Sequence, residues 1–317
     1  MDLLLNHLVK DFLIEKLKNN DNLNQSLLFW GESDLGKLTV SKAFAKSILC
    51  KNKVFNGCNQ CESCISFNNN WHPDYLLIDS KSDTIKVEDT LPLFDFLLYK
   101  PQISEKRILI INNCEKLNFT TQSSLLKTLE EPKNHFIIIL ITTNPQKLLK
   151  TIKSRLIPIR FIKPNKEELI SFIQEKYPKH LKDLDYLMKL SQNRPAQIIN
   201  FLENQNSLVE KESNIKIYRN LSKTNFINQS KLIKNLISEF ENKFDNKDSE
   251  SPIKTYLKTI VNDWLDTIEI DIKSDLNQKE LKSKIKQLKN TLQLLSYIDN
   301  YNANWRLLLE TFCLTTF

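Results

Sequence analysis

Residues 26–50, SLLFWGESDLGKLTVSKAFAKSILC, read as a short apolar strand, a loop bracketed by glycines and an amphipathic helix. No other feature constrains the fold as tightly. The chain has only three glycines in 317 residues: Gly31, Gly36 and Gly57. Turns elsewhere must often use Asn, the next residue that tolerates positive φ. Glycine is expected only where a side chain cannot stand. Two of the three glycines bracket GESDLGK, which matches G-x-x-x-x-G-K through Gly31, Gly36 and Lys37. Such a loop between strand and helix aims backbone N–H groups and the helix N-terminus at phosphate oxygens, and the lysine adds a point charge.

The pattern is incomplete. The position after Lys37 should carry a Ser or Thr hydroxyl for magnesium, but it is Leu38, and Thr39 comes one residue late. A phosphoryl-transfer centre also needs a carboxylate at a strand end. The best strand for it, RILIIN (107–112), ends in Asn112 and Asn113, with Glu115 displaced beyond. Two separate parts of a hydrolytic apparatus are thus missing together, which predicts the scaffold of an ATPase without its catalysis. Two readings of the loop stay open: ATP held through Lys37 without hydrolysis, or a loop that only shapes the turn.

Four cysteines follow the helix: Cys50, Cys58, Cys61 and Cys64, spaced C-x7-C-x2-C-x2-C. Two overlapping C-x2-C steps and a fourth thiolate make a closed tetrahedral site, which points to structural zinc. An iron–sulfur cluster is the rival reading and reduced free thiols the plainer one. His72, in WHPDYLLID, reads as a turn residue and not as a fifth ligand. Cys114 and Cys313 stand alone and read as buried hydrophobes.

Apolar runs at 74–79, 107–112, 136–142 and 156–161 alternate with helical patterns, which predicts an α/β fold with a mostly parallel sheet flanked by helices. From about residue 165 the strand patterns stop. The expected organisation is a core domain over 1–163 with the metal module at 50–64, a small helical lid over 164–206, and a helical domain over 207–317. The first segment reads as an amphipathic helix with Leu5, Leu8, Val9, Phe12, Leu13 and Leu17 on one face. It lacks the basic start and unbroken apolar stretch of a signal peptide, and no run of eighteen apolar residues occurs, so a cytoplasmic protein without membrane contact is expected. The net charge of +7, from 45 basic and 38 acidic residues, permits nucleic-acid contact without demanding it.

Together these segments resemble the clamp-loader branch of the AAA+ family over the first ~200 residues. GESDLGK is similar to its phosphate loop, the four cysteines to its zinc module, and HPDYLLID to the segment that follows. SSLLKTLEEP (123–132) resembles the helix N-A-L-L-K-T-L-E-E-P, and ILITTNPQKLLKTIKSR the sensor strand and the path to the S-R-C motif. The resemblance implies an AAA+ core, a lid and a helical collar for oligomerisation. The losses at Leu38 and Asn112–Asn113 favour the non-hydrolysing delta-prime type of bacterial DNA polymerase III subunit over the gamma/tau type. The implied partners are the gamma/tau ATPase subunits, the delta subunit and, through the complex, the sliding clamp and primed DNA. Ser154 and Arg155 match the first two positions of S-R-C, with Leu156 in place of cysteine, which implies that Arg155 is an arginine finger acting in trans. Thr143 and Asn144 fall at the sensor position. The later G-x-P/S-G-x-A turn appears as QNRPAQII, with Asn193 at a glycine position and no arginine at Gln197.

Two alternatives are an ATP-hydrolysing gamma/tau-type subunit with an atypical loop and a stand-alone zinc-stabilised nucleic-acid binder, the latter suggested by a pI of 8.9.

Overall fold

The computed structural model describes residues 7–18, 26–79, 87–130, 134–178, 183–224, 226–243, 250–274, 277–300 and 304–316. The chain divides into two compact units, 1–181 with 193–196, and 182–192 with 197–317.

In the first unit α1 (His7–Lys18), β1 (Leu27–Trp30), α2 (Lys37–Leu49), α3 (Glu62–Asn68), β2 (Tyr75–Ile78), α4 (Val87–Leu98), β3 (Arg107–Ile111), α5 (Phe119–Glu130), β4 (Phe136–Thr142), α6 (Lys150–Lys153), β5 (Ile157–Arg160) and α7 (Lys166–Lys176) follow in order. The strands form one sheet in the order β2-β3-β4-β1-β5, and every pairing is parallel. Parallel strands need helical crossovers, which cover both faces, so β3 and β4 are apolar at nearly every position. Ile108, Ile110, Ile137, Ile139 and Ile141 pack on one face with Val9, Leu13 and Phe44. Leu109, Ile111, Ile138 and Leu140 pack on the other with Leu93, Leu125 and Ile152. Each such side chain contributes about 1.5–3 kcal/mol through burial. α1 buries Val9, Leu13 and Leu17, with Phe12 partly covered, as its periodicity predicts. Leu5 and the side chain of Leu8 lie outside the described residues. The register pairs Trp30 with Thr142 and Arg160, so the carboxyl ends of β1, β4 and β5 form one edge. Ligands of open α/β sheets gather there.

The second unit is helical among its described residues: α8 (Leu184–Ser191), most of α9 (Pro195–Glu203), α10 (Gln205–Lys223), α11 (Phe226–Lys243), α12 (Glu250–Ile272), α13 (Gln278–Asn300) and α14 (Trp305–Thr316). α12 supplies its spine. Leu257, Ile260, Val261, Trp264 and Ile268 recur at helical spacing and are fully buried. Trp264 stacks on Phe312 at 5.8 Å and its indole N–H donates to the Asn214 carbonyl at 2.9 Å. No helix among the described residues is long and apolar enough to cross a membrane.

Candidate functional site

The loop after β1 shows why glycine is kept there. Gly31 has φ +149, and a Cβ on it would collide with the Phe161 carbonyl at the end of β5. Gly36 caps α2 in the left-handed region at φ 78, where nothing crowds it and only the backbone angle demands glycine. Lys37 opens the helix and is buried. Its amine folds back on the loop, donating to the Gly31 carbonyl at 2.9 Å and to the Glu32 carbonyl. Burial lowers its pKa, and the carboxylates of Asp34, Glu115 and Glu32 oppose the shift. Leu38 packs against the core and Thr39 is exposed. The Glu32 carboxylate meets the Lys163 amine at 2.8 Å and stands 3.9 Å from Nε of Arg194.

At the neighbouring strand ends, the Asn112 amide donates to Asp79 at 2.8 Å. Asn113 adopts φ 52 and turns the chain into a short 3₁₀ turn, Cys114–Lys116. That turn returns Glu115 toward the loop: one oxygen accepts from the Thr143 hydroxyl at 2.7 Å and from its N–H at 3.3 Å, and the other is buried without a hydrogen bond. Glu115 and Thr143 are therefore joined by hydrogen bonds, and the Glu115 charge acts on Lys37, although spacing alone sets Glu115 apart. The signal in the sequence was Asn113, a non-glycine residue suited to positive φ. Asn144 does other work: its side chain accepts from the Gln146 N–H at 3.1 Å and caps the turn Pro145–Lys147. In the turn before α9, Gln192 and Asn193 both adopt positive φ, so asparagine stands where a glycine would be comfortable. The Gln197 side-chain oxygen is buried without a hydrogen bond.

The four clustered cysteines converge. The sulfurs of Cys50, Cys58, Cys61 and Cys64 all lie within 4.8 Å of one another. A tetrahedral centre with metal–sulfur bonds of 2.3 Å would bring them to about 3.8 Å apart, so small side-chain rotations suffice. All six cysteines of the chain are free thiols. The elements explain the convergence: Cys50 caps the end of α2, Cys61 caps the start of α3, and Cys64 sits in the first turn of α3. Backbone N–H groups of Gln60 and Cys61 lower the Cys58 pKa to about 6, whereas burial pushes Cys64 up to about 12. A divalent metal would replace the Cys64 proton. The donor set fits a metal such as zinc.

His72 and Asp74 lie beside this module. The Asp74 N–H donates to His72 Nδ1 at 3.0 Å, and His72 Nε2 meets the Ser63 hydroxyl at 2.8 Å. The Asp74 carboxylate is fully buried and accepts the N–H groups of Gln102, Ile103 and Ser104 at 2.8–2.9 Å. This segment is a knot that holds the chain.

Arg155 lies after α6 on the surface of the first unit. Its guanidinium donates to the Thr151 carbonyl at 2.7 Å and pairs with the Glu130 carboxylate at 2.8 Å. The Ser154 hydroxyl donates to the same Thr151 carbonyl at 3.0 Å. Leu156 is buried.

A family model described as DNA polymerase III, delta subunit, matches residues 6–165. The chain is 38% identical over 144 residues to the DNA polymerase III subunit tau/gamma of Haemophilus influenzae, covering 45% of this chain and 21% of that protein. It is 30% identical over 131 residues to the subunit delta' of Pseudomonas aeruginosa, covering 40% of each. The chain thus spans less than half the length of these curated relatives. The crystal structure of a DNA polymerase III gamma-subunit-related protein from Thermotoga maritima superposes with TM-score 0.51 at 18% identity, over 96% of this chain and 97% of that one. That likeness speaks to the fold alone.

Proposed function

The chain belongs to the family described as DNA polymerase III, delta subunit, and from that membership we propose that it is a clamp-loader subunit of the delta-prime type, which scaffolds the loader and does not hydrolyse ATP itself. The observation that carries the reading is a contrast between two sites. At the phosphate loop, the magnesium position is the core-packed Leu38 and the strand-end position is Asn112, whose amide is bonded to Asp79. That donor set does not fit a magnesium–nucleotide centre, so no hydrolytic step is assigned to it. Arg155, by contrast, keeps a surface position with its guanidinium oriented by Thr151 and Glu130. A guanidinium so presented stabilises the charge that develops on a phosphoryl group in a neighbouring subunit, an effect of ~10³–10⁵ in rate. In this reading Ser154 fixes the turn that carries the finger, and Gly31, Gly36 and Lys37 are a vestigial phosphate loop.

The partners in this reading are the gamma/tau ATPases and the delta subunit, with the helical residues of 207–317 serving as the collar. The sliding clamp and primed DNA are reached through the complex, in the cytoplasm. Zinc held by Cys50, Cys58, Cys61 and Cys64 is structural, because four thiolates leave no coordination position for water. It braces the junction of α2 and α3.

The Glu115 carboxylate, bonded to Thr143 and acting electrostatically on Lys37, favours a second reading, an ATP-hydrolysing gamma/tau-type subunit in which Glu115 supplies the missing carboxylate. One pair of measurements decides. The purified chain alone is expected to show no magnesium-dependent ATP turnover, and turnover would establish the second reading. A loader reconstituted with Arg155→Ala is expected to lose about 10³-fold or more of the clamp- and DNA-stimulated hydrolysis at the one site that the finger reaches. An unchanged rate would remove the finger from the proposal.

A further inference from the structure

The third glycine points to a residue that the cysteine pattern does not include. Gly57 adopts φ +76, and a Cβ on it would stand 2.8 Å from the Cys64 sulfur and 2.9 Å from both Cγ and Cε of Lys46. Sulfur and lysine therefore converge on the same small space, with the lysine's terminal carbon within roughly 6 Å of the sulfur and its ammonium one bond further on, at the edge of the range over which opposite charges act. Lys46 lies in the last turn of α2 and is only 7% exposed. Its amine donates to the side-chain oxygen of Asn59, a residue inside the cysteine loop between Cys58 and Cys61. No carboxylate among the described residues pairs with it.

A buried ammonium without a counter-ion is costly, and natural chains keep one only where something nearby compensates it. Here the compensation is at hand. Four thiolates around one divalent ion carry a net charge of −2, a centre that is itself expensive to bury unless a cation or N–H donors face it. We propose that Lys46 is the built-in counter-charge of the metal centre, a positioning residue that lowers the cost of assembling four thiolates and so sets how tightly the metal is held. Gly57 is glycine because any side chain there would separate the two charges. The proposal rests on the four cysteines binding a divalent metal, as read above, and goes beyond it by naming a fifth residue with a distinct role.

The test uses the full chain, purified with its metal, and follows transfer of zinc to a chromogenic chelator. Cobalt substitution supplies an independent spectroscopic readout of the thiolate–metal bands. Lys46→Met is expected to give up zinc tenfold to a hundredfold more readily than the parent chain, the usual range for loss of a partner just outside the ligands. Lys46→Arg, which keeps the charge, should stay within a few-fold of the parent. Lys53→Met is the control, because Lys53 lies in the same loop but pairs at the surface with Glu105 at 3.1 Å; it should change nothing. Lys46→Gln keeps a donor for Asn59 and removes only the charge, and it decides the matter if the Met variant does not fold. Zinc retention by Lys46→Gln equal to the parent's would overturn the proposal. A parent chain that holds neither zinc nor cobalt would instead overturn the metal reading on which it rests.

Discussion

At the scale of single residues, Asp74 is an acidic group that holds the fold. It has no exposure, yet it accepts three consecutive N–H groups from residues 102–104 and lies 3.7 Å from Nε of the buried Arg107. Arg107 in turn donates to the Pro73 carbonyl at 2.9 Å and lies over the Phe96 ring at 3.9 Å. Asp74→Ala would take the acceptor from three N–H donors and leave the buried Arg107 guanidinium without its carboxylate. Losing one buried acceptor leaves each orphaned donor with a penalty of about 1–3 kcal/mol. A loss of about 3–5 kcal/mol is therefore expected in urea unfolding. A loss under 1 kcal/mol would mean that the loop finds other acceptors. HPD was visible in the sequence as a resemblance, but nothing in its spacing told that the aspartate serves a loop nearly thirty residues away. Glu115 was illegible for the same reason: its hydrogen bonds with Thr143 depend on one left-handed residue, Asn113, whose backbone angle a sequence does not display. The cysteine set was legible because C-x2-C steps bring three of its sulfurs together through local turns, and Cys50 joins them from the end of α2.

At the scale of elements, His72 joins the start of β2 to the metal module. Its Nε2 meets Ser63 of α3, and Ser63 and Ser104 both donate to the Leu49 carbonyl at the end of α2, at 2.7 and 3.1 Å. Burial lowers the pKa of His72 below its ordinary 6.5, with Asp74 and Glu62 opposing the shift. The folded chain thus binds this proton less tightly than the unfolded chain. Between the two pKa values the unfolded state carries more protons, so stability rises with pH there and is lost as pH falls below about 6.5. Unfolding measured from pH 7.5 to 5 should show this loss, and His72→Gln should flatten it. A profile unchanged by the substitution would assign the effect to other groups. The strands themselves were readable as unbroken apolar runs because helices cover both faces of the sheet. The breaks between the later helices were not. α9 ends at Glu203 and α10 begins at Gln205, with Asn204 as the cap, its side chain accepting from Asn206 at 3.2 Å. In a chain so rich in asparagine, the one that caps looks like the many that do not.

At the scale of the whole molecule, both units bury charge, but in different places. The first keeps the Asp74–Arg107 pair at one end of a largely apolar sheet core, whereas the second places a charged cluster inside its helices. Lys211 is 3% exposed and reaches Asp266 at 2.6 Å and Asp263 at 3.3 Å. Asn214 donates to Asp263 at 2.8 Å and Gln192 to Asp266 at 3.3 Å. Burial raises the Asp263 pKa, and Lys211 is the foremost group opposing it. Such a cluster adds little net stability over apolar packing, but it tolerates the loss of one member badly and fixes which helix faces meet. Lys211→Met should therefore cost about 3–5 kcal/mol by leaving two carboxylates buried without their cation. The cost should fall on one unit only. Hydrogen exchange followed by mass spectrometry should show faster opening of α10, α12 and α13, with β3 and β4 unchanged. Adding Asp263→Leu and Asp266→Leu to Lys211→Met should recover much of the loss, because no unpaired charge then remains. Equal acceleration across both units would show that they open together, and the charged cluster would then stabilise the whole chain and not the second unit alone.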